Sequence, residues 1–196
     1  MKNKVDNEIH FVTGNQSKFD YAKSIFEEEG INIIKTELDI TEVQDSDYLV
    51  IAKLKAKEAW DKIKEPLFIH DSCWTIPSLN GFPGPYMRYV NEWFSPSDFI
   101  SLMKDKKDKT IILRSTVIYI DDKNLKEFSQ ENHGSFLEQP YSGYSDNSLD
   151  AVVSFSKSGK SIAEQKEEGS FVVKKDNLVW GNFVKWLKEN NSYWQI

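Results

Sequence analysis

Three short apolar runs, separated by two segments of helical period, fill roughly the first third of the chain, and this alternation limits the fold more than any other feature. Ile9 to Thr13, Asn32 to Thr36 and Leu67 to Ile69 read as strands. Between the first two, Gln16 to Glu29 places Phe19, Ala22, Ile25 and Phe26 on one helical face, and Gly30 stands where a helix-ending glycine is expected. Between the second and third, Ser46 to Lys64 carries a stripe of Leu49, Ala52, Ala56, Ala59 and Ile63, flanked by Lys53, Lys55 and Lys57. The resulting β-α-β-α-β order predicts an α/β protein, a mixed sheet with helices packed on it.

The rest of the chain is less regular. Ser95-Pro96-Ser97-Asp98 reads as a helix start with an early proline, followed by the short FISLMK. Thr110 to Ile120 is a long strand, Asp121 to Asn124 a turn, and Lys126 to Leu137 its antiparallel partner; this pair is expected to form a smaller lobe or a dimer surface. Tyr141 to Asp150 reads as loop, Val152 to Phe155 as a short strand, and Ser161 to Glu164 as the start of a helical turn. Leu178 to Glu189 is the expected closing helix, with Leu178, Val179, Phe183, Trp186 and Leu187 as its apolar side.

Composition removes several function classes. A hydrophobic share of 39% and a charged share of 29% belong to a soluble globular chain, and 196 residues suffice for one sizeable core or two lobes sharing one. A net charge of -6 argues against a general binder of polymeric nucleic acid, though not against a nucleotide site, where a few lysines and arginines suffice. The single cysteine, Cys73, permits no intrachain disulfide and no cysteine-based zinc site. His10, His70 and His133 show no metal-ligand spacing. No apolar run has the length of a membrane span, and MKNKVDNEIH lacks the apolar core of a signal peptide, so the expected location is the cytoplasm.

Three stretches carry chemistry. Thr13-Gly14-Asn15-Gln16-Ser17-Lys18 is a strand-to-helix turn, where unpaired backbone N–H groups attract phosphate and where Thr13, Asn15 and Lys18 add hydrogen bonds and charge. The plainer reading makes Asn15 a helix cap and Lys18 a solvated residue. The acidic ELDITEVQDSD, with Glu37, Asp39 and Glu42, offers oxygen ligands for a hard cation such as magnesium, or is simply a charged loop. In LFIHDSCWTIPSLNGFPGPYMRYV, a buried strand is expected to end at His70 and Asp71. A glycine- and proline-built loop and then Arg88 follow it. An acid at the carboxyl end of a strand, then a shaped loop and a cation, is what a metal-bound phosphate needs. Lys55, at the edge of its helix stripe, is placed to reach a phosphate in a neighbouring cleft.

In that order, FVTGNQSK, ELDITEVQD with IAKLKAKEA, and HDSCWTIPSLNGFPGPYMRYV resemble the inosine/xanthosine triphosphate pyrophosphatase family over most of the chain. The resemblance implies one domain spanning residues 1–196, an elongated mixed α/β fold with two lobes around a central nucleotide cleft, usually a homodimer. It implies hydrolysis of a nucleoside triphosphate to a monophosphate and pyrophosphate with magnesium. Phosphate contacts carry over to Thr13, Gly14, Asn15 and Lys18, the metal-binding acid to Glu42, and the helix lysine to Lys55. Asp71 takes the place of the acid that holds metal and prepares water; Ser72 follows it, and Arg88 is the basic residue after the loop.

The chain departs from that family at two places. His70 stands where the family has a second acid, which removes one negative charge from the metal region or supplies a base in its stead; the plainer reading is a partly buried histidine with a hydrogen-bond partner. The base-pocket motifs are also altered. Ser148-Leu149-Asp150-Ala151 replaces Gly-Trp-Asp-Pro, so only Asp150 is left as a substrate contact, and Trp180-Gly181-Asn182 replaces Ser-His-Arg. Lys174 and Lys175 are candidates for the family's late lysine. A missing imidazole and guanidinium predict relaxed or altered base choice. The rival expectation is a member that binds nucleotide, or serves as a scaffold, without turnover.

Overall fold

A computed structural model describes residues 8–41, 43–143, 145, 147–170 and 178–190. In chain order the elements are β1 (Glu8–Val12), α1 (Gln16–Glu28), β2 (Asn32–Thr36), α2 (Tyr48–Ile63), β3 (Leu67–Thr75), β4 (Pro83–Gly84), α3 (Met87–Trp93), α4 (Pro96–Met103), β5 (Thr110–Ile120), β6 (Leu125–Phe136), β7 (Val153–Ser154), α5 (Ile162–Glu167) and α6 (Leu178–Asn190). The strands run β2-β1-β3-β5-β6-β7, with β4 beside β3. β1 pairs with β2 and with β3 in parallel, whereas β3–β4 and β6–β7 are antiparallel, so the sheet is mixed as expected. No helix among the described residues is long and apolar enough to cross a membrane.

Local chemistry sets the helix ends. Asn15 caps α1, its side-chain oxygen accepting from the Lys18 amide at 2.9 Å. Gly30 follows α1 with φ +73, a left-handed backbone that favours glycine. Asp47 caps α2 by accepting from the Leu49 amide at 2.9 Å. Ser95 and Asp98 cap α4 reciprocally, with Pro96 in its first turn.

Contacts divide the chain into two compact units. The first comprises residues 1–71, 115–130 and 175–196; the second comprises 72–114 and 131–174. Within the first, β3 and the end of β5 alternate between two cores. Phe68, Val117 and Tyr119 face Phe26 of α1 and Trp180 and Phe183 of α6. Leu67, Ile69, Ile118 and Ile120 face Ala52, Ala56 and Ala59 of α2. The second unit has its own core of Ile76, Val90, Phe99, Met103, Ile111 and Leu149.

Three expectations need correction. β3 does not stop at Ile69 but runs to Thr75, because Trp74 and Thr75 pair with Gly84 and Pro83 of β4. The loop after β3 leads into a helix of its own, α3, held by burial of Val90. The β5–β6 pair does not form a separate lobe: Ser115–Gln130 belong to the first unit and the remainder of both strands to the second.

Phe68 is fully buried, with its ring centroid 5.3 Å from that of Phe26 and 5.1 Å from that of Phe183. Phe68→Ala removes the ring that joins both helices to the sheet, and a loss of about 3–5 kcal/mol is expected in urea unfolding. A loss under about 1 kcal/mol would show that this core closes without it.

Candidate active site

The first-unit candidates gather where β3 outruns its neighbour. β1 and β3 pair through His10 with Leu67 and Phe11 with Phe68. Continuing that register sets Val12, the last residue of β1, beside Ile69 and leaves His70 and Asp71 level with the turn that follows β1. In that turn the Thr13 amide donates to the Thr36 carbonyl at 3.0 Å, and the Asn15 amide donates to Thr13 Oγ1 at 3.1 Å. A Cβ on Gly14 would meet no atom within 4 Å, so nothing in the chain demands glycine there. The Thr13–Lys18 turn is therefore both a helix cap and an open N-terminus with a lysine in its first turn.

Successive residues of a strand project to opposite faces, and β3 divides its two titratable groups accordingly. Asp71 faces α2, where Lys55 Nζ donates to its Oδ2 at 3.3 Å. Both side chains are about three-quarters buried. Lys18, half-buried on α1, has its pKa lowered, chiefly by burial; Asp71 opposes that shift and Lys55 reinforces it. Two ammonium groups and one carboxylate thus share one neighbourhood.

His70 faces the other way, with its ring centroid 5.0 Å from that of Trp180. Both ring nitrogens are buried without a hydrogen-bond partner among the described residues, although the residue keeps some exposed surface. Burial, assisted by the Lys18 charge and opposed by Asp71, lowers its pKa to about 3, so the ring is neutral at ordinary pH. It is turned away from Asp71 and has no hydrogen-bond partner among the described residues, so it fits neither the base nor the hydrogen-bonded histidine expected from sequence. The strand's alternation decides this, because it points the ring into the aromatic core.

The other expected residues lie as follows. Glu42 falls outside the described residues, as do Lys174 and Lys175. Ser72, the first residue of the second unit, is half-buried on β3. Arg88 is in the first turn of α3, 70% exposed, its Nε 4.0 Å from Glu92. Asp150 is buried, and its Oδ2 takes a 2.5 Å bond from Lys166 Nζ. Sequence reasoning missed Lys166, which has no periodic relation to Asp150. It also missed the contact between His70 and Trp180. The one signal for that contact was that both positions depart from the pattern the family resemblance implies. Trp180 itself is 2% exposed and packs against Phe11, Phe26 and Phe68, while Gly181 and Asn182 are exposed.

The sequence profile of the Ham1 family matches residues 9–171. The chain belongs to the Ham1 family. Within it, the chain is similar to a dITP/XTP pyrophosphatase of Methanosarcina mazei, 33% identical over 113 residues, which is 58% of this chain and 61% of that protein. That match thus spans less than two thirds of the relative's length. A dITP/XTP pyrophosphatase of Methanopyrus kandleri is 27% identical over 93% of this chain and 97% of its own. Among solved structures, a HAM1 protein from Coxiella burnetii superposes with a TM-score of 0.76 at 18% identity, covering 93% of this chain and 98% of that one, which establishes the fold. The family resemblance read from the three motifs is borne out.

The buried imidazole makes acid stability a test of this arrangement. A folded His70 takes its proton near pH 3, whereas an ordinary histidine takes one near 6.5, so between these values the unfolded chain binds more protons and stability falls with pH. At pH 4.5 this one group is expected to cost about 2–3 kcal/mol relative to pH 7. Urea unfolding of His70→Phe should lose less stability on acidification than the parent by that amount. Equal acid dependence in both would place the ring nitrogens in contact with water.

Proposed function

We propose that this chain hydrolyses a nucleoside triphosphate to the monophosphate and pyrophosphate. The observation that carries the reading is the grouping of Lys18, Lys55 and Asp71 beside the Thr13–Lys18 turn. The open amides of the α1 N-terminus, the Thr13 and Asn15 side chains and two ammonium groups suit a triphosphate, which needs fixed donors and positive charge. Water attacks the α-phosphorus, the bond from that phosphorus to the oxygen bridging to the β-phosphate breaks, and pyrophosphate leaves with the bond's electrons. Asp71 orients the water and accepts its proton. The names of the relatives, pyrophosphatases of dITP and XTP, support the same bond cleavage.

The donor set also fits a hard divalent cation. No group of three His, Cys, Asp or Glu side chains among the described residues forms a metal cluster of its own. Magnesium in nucleotide sites, however, is held by one or two carboxylates together with the substrate's phosphates; the Asp71 carboxylate would be such a ligand, and the family resemblance names Glu42, outside the described residues, as the second. When bound, the cation neutralises triphosphate charge and stabilises charge that develops on the leaving group. Magnesium as the natural ion and a cytoplasmic homodimer as the working form are taken from the family resemblance.

Base choice follows from α6. Trp180 is committed to the core and Gly181 and Asn182 carry neither imidazole nor guanidinium, so we infer weak discrimination among bases. In a screen of inosine, xanthosine, guanosine, adenosine, uridine and cytidine triphosphates with separate assays for pyrophosphate and orthophosphate, kcat/KM should vary within about a hundredfold, far below the range a polar base-reading pocket supplies. Release of orthophosphate alone, or no product from any substrate, would refute the reading. Asp71→Asn should lower kcat by about a hundredfold or more. Lys18→Ala should raise KM for the triphosphate, and an unchanged KM would return Lys18 to the surface.

A further inference from the structure

The Lys55–Asp71 ion pair sits at the point where the proposed reaction needs a free carboxylate. Asp71 Oδ2 accepts from Lys55 Nζ at 3.3 Å, and neither side chain is fully solvated. The Lys18 charge acts on both partners. The residue before Asp71 is a histidine whose buried ring nitrogens face the aromatic core, so position 70 itself supplies no carboxylate beside Asp71. A free divalent cation approaching Asp71 meets a carboxylate already paired with one ammonium group and acted on by a second, that of Lys18. A triphosphate meets the reverse, since its oxygens attract both ammonium groups and carry ligands for the cation.

We propose that the Lys55–Asp71 pair is a latch that keeps free divalent metal out of the site and opens when a triphosphate draws Lys55 away, so that metal enters with the nucleotide and not before it. This rests on the functional reading above and adds an order of events to it. In the nucleotide-free protein, Lys55 occupies the oxygen that a cation would use. On binding, the lysine exchanges a carboxylate for a phosphate, each contact being charge-assisted, and Asp71 is released. The exchange conserves the number of ion pairs, so opening is cheap only when the incoming group is anionic. Phosphate-free nucleosides would leave the pair closed.

Manganese, visible by electron paramagnetic resonance, tests this without turnover. Binding of Mn²⁺ to the full chain would be measured alone and with an α,β-imido nucleoside triphosphate that cannot release pyrophosphate. Calorimetry of the analogue without metal would run in parallel. Wild type alone should bind Mn²⁺ at least an order of magnitude more weakly than with the analogue, on the order of the effect of a nearby ammonium charge. Lys55→Met, which keeps the side-chain length and removes the charge, should tighten nucleotide-free binding by about tenfold, for the same electrostatic reason. His70→Gln, which leaves the pair in place, should not tighten it. Tight Mn²⁺ binding to nucleotide-free wild type, or no gain in Lys55→Met, would overturn the latch while metal-free binding of the analogue left the functional reading standing. Failure of the analogue to bind with or without metal would overturn both.

Discussion

A strand covered on both sides has no idle face, and β3 is such a strand. Its even-numbered side chains, Phe68 and His70, are committed to the aromatic core of α1 and α6, and its odd-numbered ones, Ile69 and Asp71, to α2. A slip of one residue would bury Asp71 among aromatic rings and turn Phe68 and His70 towards α2. The register that places the carboxylate against Lys55 is thus enforced by the packing of Phe68 with Phe26 and Phe183. Core packing and the direction of the Asp71 carboxylate are specified by the same alternation.

That coupling explains which parts of the molecule were legible in the sequence. Strands β2 and β5 and helix α1 are governed by short-range periodicity and end signals, and their expected bounds agree with the observed ones to a residue or two. The length of β3 is not a local property. Its extension to Thr75 depends on pairing with Pro83 and Gly84 across an intervening loop, which no window of periodicity sees. Helix α3 is short and exposes Tyr89 and Trp93, so its apolar residues do not fall on one buried face as a helix search requires.

The same distinction holds at the site. The grouping of Lys18, Lys55 and Asp71 was legible because residue type and order suffice to nominate charged groups, and the helix edge of Lys55 pointed towards the sheet. The character of His70 was not recognisable, because a histidine is made acid, base or inert by what surrounds it. Its surroundings come from α6, more than a hundred residues later in the chain. Asp150 illustrates the converse: the family resemblance nominated it as a contact, and its carboxylate takes a bond from Lys166 of α5 that no sequence pattern announced.

The packing of His70 on Trp180 has a consequence for how such a chain can diverge. The two residues fill one space, so neither can be exchanged independently for the acid and the serine that the family resemblance would place there. An acid at position 70 alone would be set against an indole, and a serine at position 180 alone would leave a void among five aromatic rings. Either single change therefore costs stability, and the two positions behave as one unit of packing that only a paired exchange can alter cheaply.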